Sequence, residues 1–183
     1  MCRHVDKGII FDMDNTLLKS RIDFAEMKRA IFRLLIEHEM WATVAAVEKE
    51  GMHGAVLEKD AVEVLDELRQ RCRLYILTNN ARAAAREALQ ETGIAHYFAE
   101  IVAREQMAEL KPSPSGVHYI LRRHPEWPVS AWTMVGDSWI DGKAAQDAAV
   151  RFLAYQGKPH EMKKRGVYPA ATVSGLRELL AFC

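Results

Sequence analysis

The chain has 183 residues, 49% hydrophobic and 27% charged, with 25 Lys and Arg set against 25 Asp and Glu. That length suffices for one compact core, and the even charge excludes the basic surplus that marks binding of a nucleic-acid polymer. No stretch approaches the roughly 18 uninterrupted apolar residues of a membrane span, and "MCRHVDKG" at the start is too polar and short for a secretory signal.

The first strand candidate is "GIIF" (8–11), which runs straight into Asp12 and Asp14, with Thr16 at the same alternating spacing. The next strand candidate does not arrive until about Arg73. The stretch between reads as helical: "FAEMKRAIFRLLIEHEM" sets Phe24, Met27, Ile31, Leu34, Leu35 and His38 on one face. A shorter helix, "TVAAVEK", follows it, and "EGMHG" (50–54) reads as a glycine-flanked hinge. Residues 20–57 are therefore expected to form a small all-helical insertion after the first strand, with 1–19 and 58–183 making the core.

From there short apolar runs alternate with amphipathic segments. "RLYILT" (73–78), "EIVA" (100–103), "WTMVG" (132–136) and "RFLAY" (151–155) are apolar on both faces, as strands of a covered parallel sheet are. The helices between them have recognisable starts. Asp60 with Glu63 precedes "VEVLDELRQR", Asn80 precedes "ARAAAREALQET", Ser113 and Pro114 precede "SGVHYILRRH", and Ser138 precedes "DGKAAQDAA". Ser174 precedes "GLRELLAF", with "ATV" as a short edge strand. The alternation predicts an α/β fold, a Rossmann-like open parallel sheet with helices on both faces and the helical insertion after its first strand.

In such a sheet ligands bind at the carboxyl ends of the strands. Asp12 and Asp14 stand after the first strand, Thr78, Asn79 and Asn80 after the second, and Lys111 opens the loop beyond the third. Gly136, Asp137 and, four residues on, Asp141 follow the fourth. Taken singly, Asp12 is a turn residue, Lys111 a surface lysine, and Asp137 and Asp141 are acids at a helix start. Taken together, four carboxylates, a hydroxyl and an ammonium meet at one sheet edge, where crowded carboxylates call for a cation. Cys2, Cys72 and Cys183 show no CxxC spacing and the seven histidines no cluster, so neither a disulfide framework nor a zinc site is expected. The expectation is a cytoplasmic protein with reduced thiols, a monomer or small homo-oligomer.

These residues resemble the haloacid dehalogenase (HAD) superfamily. "DMDNT" is similar to its first motif, DxDxT; Thr78 in "LTNN" to its second; Lys111 in "KPSPSG" to its third; and "GDSWID" (136–141) to its fourth, GDxxxD. The insertion is similar to a shortened cap of the phosphoglycolate phosphatase-like branch. The resemblance implies an Mg²⁺-dependent phosphatase acting on a small phosphorylated metabolite. In it Asp12 is the nucleophile that becomes an aspartyl-phosphate, and Asp14 the general acid and base. Thr78, the backbone of Asn79, and Lys111 would hold the phosphate. Asp12, Asp137 and the carbonyl of Asp14 would bind the metal, with Asp141 ordering its surroundings. Thr16 becomes a scaffold residue, and Asn15 stands where glycine is commoner, a mild change because Asn tolerates unusual backbone angles. Asp14 argues against a 2-haloacid dehalogenase. A sugar phosphomutase keeps all four motifs, and a response-regulator receiver, a signalling module, gathers similar residue types. The receiver places its phosphorylated Asp after the third strand and has no helical insertion after the first. Lys19, Arg21, Lys28, Arg29 and Arg33 are candidates for meeting an anionic leaving group or for a solvated helix face.

Overall fold

The computed structural model of the chain describes residues 6–22 and 37–182, apart from the side chains of residues 37–39. The described strands are β1 (Gly8–Phe11), β2 (Leu18–Lys19), β3 (Val56–Leu57), β4 (Arg73–Leu77), β5 (Phe98–Val102), β6 (Trp132–Gly136), β7 (Arg151–Tyr155) and β8 (Ala171–Val173). Six of them form one sheet in the order β5-β4-β1-β6-β7-β8, every pairing parallel. This is the open α/β sheet expected from the alternation of apolar runs.

β1 is central, and its sequence says why. Every residue of "GIIF" is buried, and alternate side chains serve opposite layers, as the two-residue period of a strand dictates. Ile9 and Phe11 join one apolar cluster with Leu65, Leu68 and Leu89. Ile10 joins the other with Val117, Ile120 and Trp132. The helices Ala61–Leu68 and Arg82–Glu91 cover the first face, and Ser115–Arg122 and Trp139–Asp147 the second. Among the described residues no helix is long and apolar enough to cross a membrane.

The insertion differs in detail from its sequence reading. Residues 23–36 lie outside the described residues, and with them most of the face drawn through Phe24, Met27, Ile31, Leu34 and Leu35; so does the side chain of His38. The described part is one helix, Glu37–Met52, that absorbs "TVAAVEK". Gly51 lies inside that helix, and a Cβ there would stand 2.7 Å from the Ile22 backbone, so glycine lets the helix end pack against the entering chain. The insertion is also not purely helical. β2 and β3 pair antiparallel where the chain leaves and rejoins the core, a ribbon too short to show periodicity.

Several helix starts are built otherwise than their sequences suggest. Asp60 adopts a left-handed conformation with no side-chain cap bond and instead meets Arg177 at 3.3 Å. The helix after β4 is flanked by Ala81, not Asn80, and its first N–H groups are received by Glu48 and Glu105. Pro114 takes the flanking position before Ser115–Arg122, one residue later than expected. Ser138 does begin its helix, with Asp141 folded back onto it.

Candidate active site

The chain builds β4 and β5 on one side of β1 before crossing to β6 on the other. The carboxyl end of β1 is therefore the switch point where a crevice opens. The N–H of Asp12 donates to the Val135 carbonyl at 2.8 Å, carrying the sheet one residue beyond β1. A tight turn then reverses the chain. Asn15 sits at φ 55° and its N–H donates to the Leu18 carbonyl, while the N–H groups of Leu17 and Leu18 donate to the Met13 carbonyl. A left-handed residue is required there, which Asn tolerates. Thr16, fully buried, donates its hydroxyl to Asp12 Oδ2 at 3.3 Å and so steadies the aspartate it follows.

Lys111 reaches this point from across the sheet. Its buried Nζ donates to Asp12 Oδ1 at 2.6 Å, Asp141 Oδ1 at 2.8 Å and the Leu77 carbonyl at 2.9 Å, occupying all three protons. Asn79 fixes the lysine's backbone from both sides: its Nδ2 donates to the Lys111 carbonyl and its Oδ1 accepts the Lys111 N–H. Asp141 Oδ2 accepts from the Ser138 hydroxyl at 2.7 Å and from its N–H at 3.1 Å. Gly136 permits this, since a Cβ there would lie 2.6 Å from the Asp141 side chain. The glycine of "GDSWID" thus admits the aspartate five residues on. Thr78 is buried at the end of β4, and its Oγ1 accepts the Asn80 N–H at 3.1 Å.

Charge in the crevice is lopsided. Burial pushes the Asp12 carboxyl well above the usual carboxylate range; Lys111 opposes this, while Asp141, Asp14 and Asp137 reinforce it. Burial, and then Asp141, raise Asp137 to about 6. Asp14 is raised by burial against the opposing pull of Ser20, Lys111 and Asn80. Burial pulls Lys111 down, but Asp12 and Asp141 outweigh it and the lysine stays an ammonium. Among the described residues, four carboxylates thus share one cation. Oxygens of Asp12, Asp137 and Asp141 lie within 4.8 Å of one another, and Asp14 Oδ1 is buried with no hydrogen-bond partner among the described residues. An all-oxygen, net-negative donor set of this kind fits a hard divalent cation.

Two contacts escaped the sequence reading. Asn80, read there as a helix cap, donates its Nδ2 to Asp14 Oδ2 at 2.7 Å. Glu48 of the insertion helix, 3% exposed, pairs with Arg104 through both oxygens and accepts the Ala81 N–H at 2.8 Å. Its signal in the sequence is faint: Val44, Glu48 and Met52 share one buried helical stripe, and a carboxylate in such a stripe needs partners. Of the cationic candidates for a leaving group, Lys28, Arg29 and Arg33 lie outside the described residues. Lys19 is exposed and 3.5 Å from Glu58.

A family model described as haloacid dehalogenase-like hydrolase matches residues 25–155. The pyrimidine 5'-nucleotidase YjjG of Escherichia coli is 27% identical over 82% of this chain and 72% of its own length. A phosphoglycolate phosphatase of Vibrio parahaemolyticus is 31% identical over 64% of this chain, which spans only 52% of that relative. The solved structure of a predicted phosphoglycolate phosphatase from Haemophilus somnus 129pt superposes with a TM-score of 0.79 at 18% identity, covering 100% of this chain and 99% of that one. That likeness is one of fold.

Proposed function

The chain belongs to the haloacid dehalogenase-like hydrolases, and on that premise we propose that it hydrolyses small phosphate monoesters through an aspartyl-phosphate on Asp12, with Mg²⁺ as its cofactor. The observation that carries the reading is the buried Asp12 at the end of the central strand. It faces Lys111 at 2.6 Å, and Asp14 follows two residues on.

Asp12 attacks phosphorus in line, and the ester P–O bond breaks with its electron pair on the alcohol oxygen. Asp14 gives that oxygen its proton, then takes one from the water that attacks the aspartyl-phosphate. Asp12 departs as a carboxylate, and inorganic phosphate is released. The Asn80 N–H occupies a lone pair of Thr78 Oγ1, which leaves the hydroxyl proton for a phosphoryl oxygen. The Asn79 N–H is a second donor, and Lys111 balances charge between nucleophile and phosphate. Asp12, Asp137 and the Asp14 carbonyl would hold the cation, with Asp141 ordering Lys111 beside it. Bound Mg²⁺ supplies charge neutralisation between an anionic nucleophile and an anionic substrate.

Residues 20–57 serve as a small cap over a core of 1–19 and 58–183. The relatives' names make pyrimidine nucleoside monophosphates and phosphoglycolate the first substrates to try. Purified protein with Mg²⁺ should release phosphate from an aryl phosphate or a member of a monoester panel, and EDTA should stop it. Absence of release from every member overturns the reading.

A further inference from the structure

The residues after β4 are tied to one another and to separate parts of the site. Thr78 accepts from Asn80, Asn79 holds Lys111, Asn80 holds Asp14, and Ala81 is held by Glu48. Only the last tie comes from the insertion. Glu48 is buried and is fixed in turn by Arg104, whose two terminal nitrogens lie 2.8 and 3.2 Å from its oxygens. At the other end of the relay, Asn80 engages Asp14 Oδ2 at 2.7 Å, Ser20 also acts on that carboxyl through its side chain, and Oδ1 is buried with no hydrogen-bond partner among the described residues.

Resting on the phosphatase reading, we propose that Asn80 and Glu48 are positioning residues for Asp14: Asn80 pins Oδ2 so that Oδ1 carries the proton, and Glu48 holds Asn80 in place through the Ala81 N–H. The two oxygens of Asp14 are then not equivalent. Oδ1 delivers its proton to the alcohol oxygen as the P–O bond breaks, leaving Asp14 a carboxylate still held by Asn80. A carboxyl group turns about one bond, so losing the Asn80 contact lets it swing and lengthens the path of that proton. Losing Glu48 frees the Ala81 N–H at the mouth of the following helix, and the Asn80 side chain loses its fixed base. Glu48 thereby helps set the geometry of the proton donor without touching it, whereas Ser20, where the insertion begins, acts on the Asp14 carboxyl directly.

A merely structural role would lower activity on all substrates alike, whereas a positioning role depends on how much the leaving group needs a proton. The test therefore compares kcat/KM for p-nitrophenyl phosphate, whose phenolate leaves unprotonated, with that for glycerol 2-phosphate, whose alkoxide cannot. This constant covers only steps up to alcohol release, so the later work of Asp14 as a base does not enter. Both values come from one sample, so their ratio is unaffected by any unfolded fraction. Asn80→Ala and Glu48→Ala should lose at least about tenfold more on the alkyl ester than on the aryl ester, within the 10²–10⁴-fold range of general-acid catalysis. Glu48→Gln keeps an acceptor for the Ala81 N–H and should hold the ratio within about threefold of wild type. Asp14→Asn should show the largest bias. Equal losses on the two esters in an active enzyme overturn this proposal alone. A wild-type protein inert on both overturns the phosphatase reading and this proposal with it.

Discussion

At the carboxyl end of the sheet, β4 and β6 hand over to Thr78 and Asp137, and among the described residues the space between them holds four carboxylates and one lysine. Toward the amino end the same strands carry Tyr75 and Trp132, which pack with His124 and Trp127 at ring separations of 5.1 to 5.6 Å. Tyr75 Oη and His124 Nε2 are 2.6 Å apart. One end accumulates like charge in a buried place, and the other accumulates aromatic area, whose burial stabilises. The contrast divides labour within single strands: burial at the aromatic end stabilises the sheet, and the other end carries the charge. Substitutions at the carboxyl end should therefore change chemistry first, and those at the amino end stability first.

The largest effect expected is that of Asp12→Asn, which should lower phosphatase turnover by about four orders of magnitude or more, since the nucleophile is gone. Its thermal midpoint without metal should not fall, because Lys111 keeps Asp141 at 2.8 Å while one crowded carboxylate is neutralised. A variant both inactive and several degrees less stable would show that the charged end also bears structural weight. Lys111→Met is the exception at this end, because Asp12 and Asp141 both pair with that buried lysine. It leaves Asp12 and Asp141 buried without their shared cation and should cost about 3–5 kcal/mol, the usual effect of breaking a buried ion pair, along with activity. Denaturant titration read by circular dichroism would separate the two aspartate-site variants.

Trp132→Ala tests the opposite end. The indole is fully buried against Tyr75, His124 and Trp127, and its loss should destabilise by about 3–5 kcal/mol. Turnover per folded molecule, measured well below the new midpoint, should stay within about threefold of wild type. A tenfold drop would mean that strain travels the length of β6 and would erase the distinction between the ends.

The sheet and the convergence of Asp12, Asp14, Thr78, Lys111, Asp137 and Asp141 were legible because each obeys a local rule. Apolar runs mark buried strands, and the residue after a run stands at the crevice. What stayed hidden depends on partners far away in sequence. Asn80 looks like a helix cap until Asp14, 66 residues earlier, claims its amide. Glu48 looks like one more acid on a helix until Ala81 and Arg104 close around it. Asn79 and Lys111 hold each other by backbone contacts that no residue-type pattern encodes. The close packing of Gly51 on Ile22 was hidden because flexibility and close approach use the same residue.

The smallest effect expected concerns pH and distinguishes the ends by sign. In the metal-free protein Asp137 is raised from 3.8 to about 6, so between these values the folded state binds more protons than the unfolded one. Stability contributed by the protonated group is fully present below about pH 4 and is lost as pH rises through about 6. Asp12 and Asp14, also raised, act in the same direction. With EDTA present, the thermal midpoint should therefore decline across this window by a few degrees relative to Asp137→Asn, on the order of what one titrating group commands. Adding Mg²⁺ at neutral pH should restore it, since a ligand of the folded state stabilises by mass action. Tyr75→Phe, which removes a hydroxyl from the aromatic end, should shift the whole curve down by about 1 kcal/mol or less and leave its slope unchanged. If Asp137→Asn keeps the wild-type slope, the crowding of carboxylates is relieved elsewhere, and the carboxyl end is not the electrostatic load that its geometry describes.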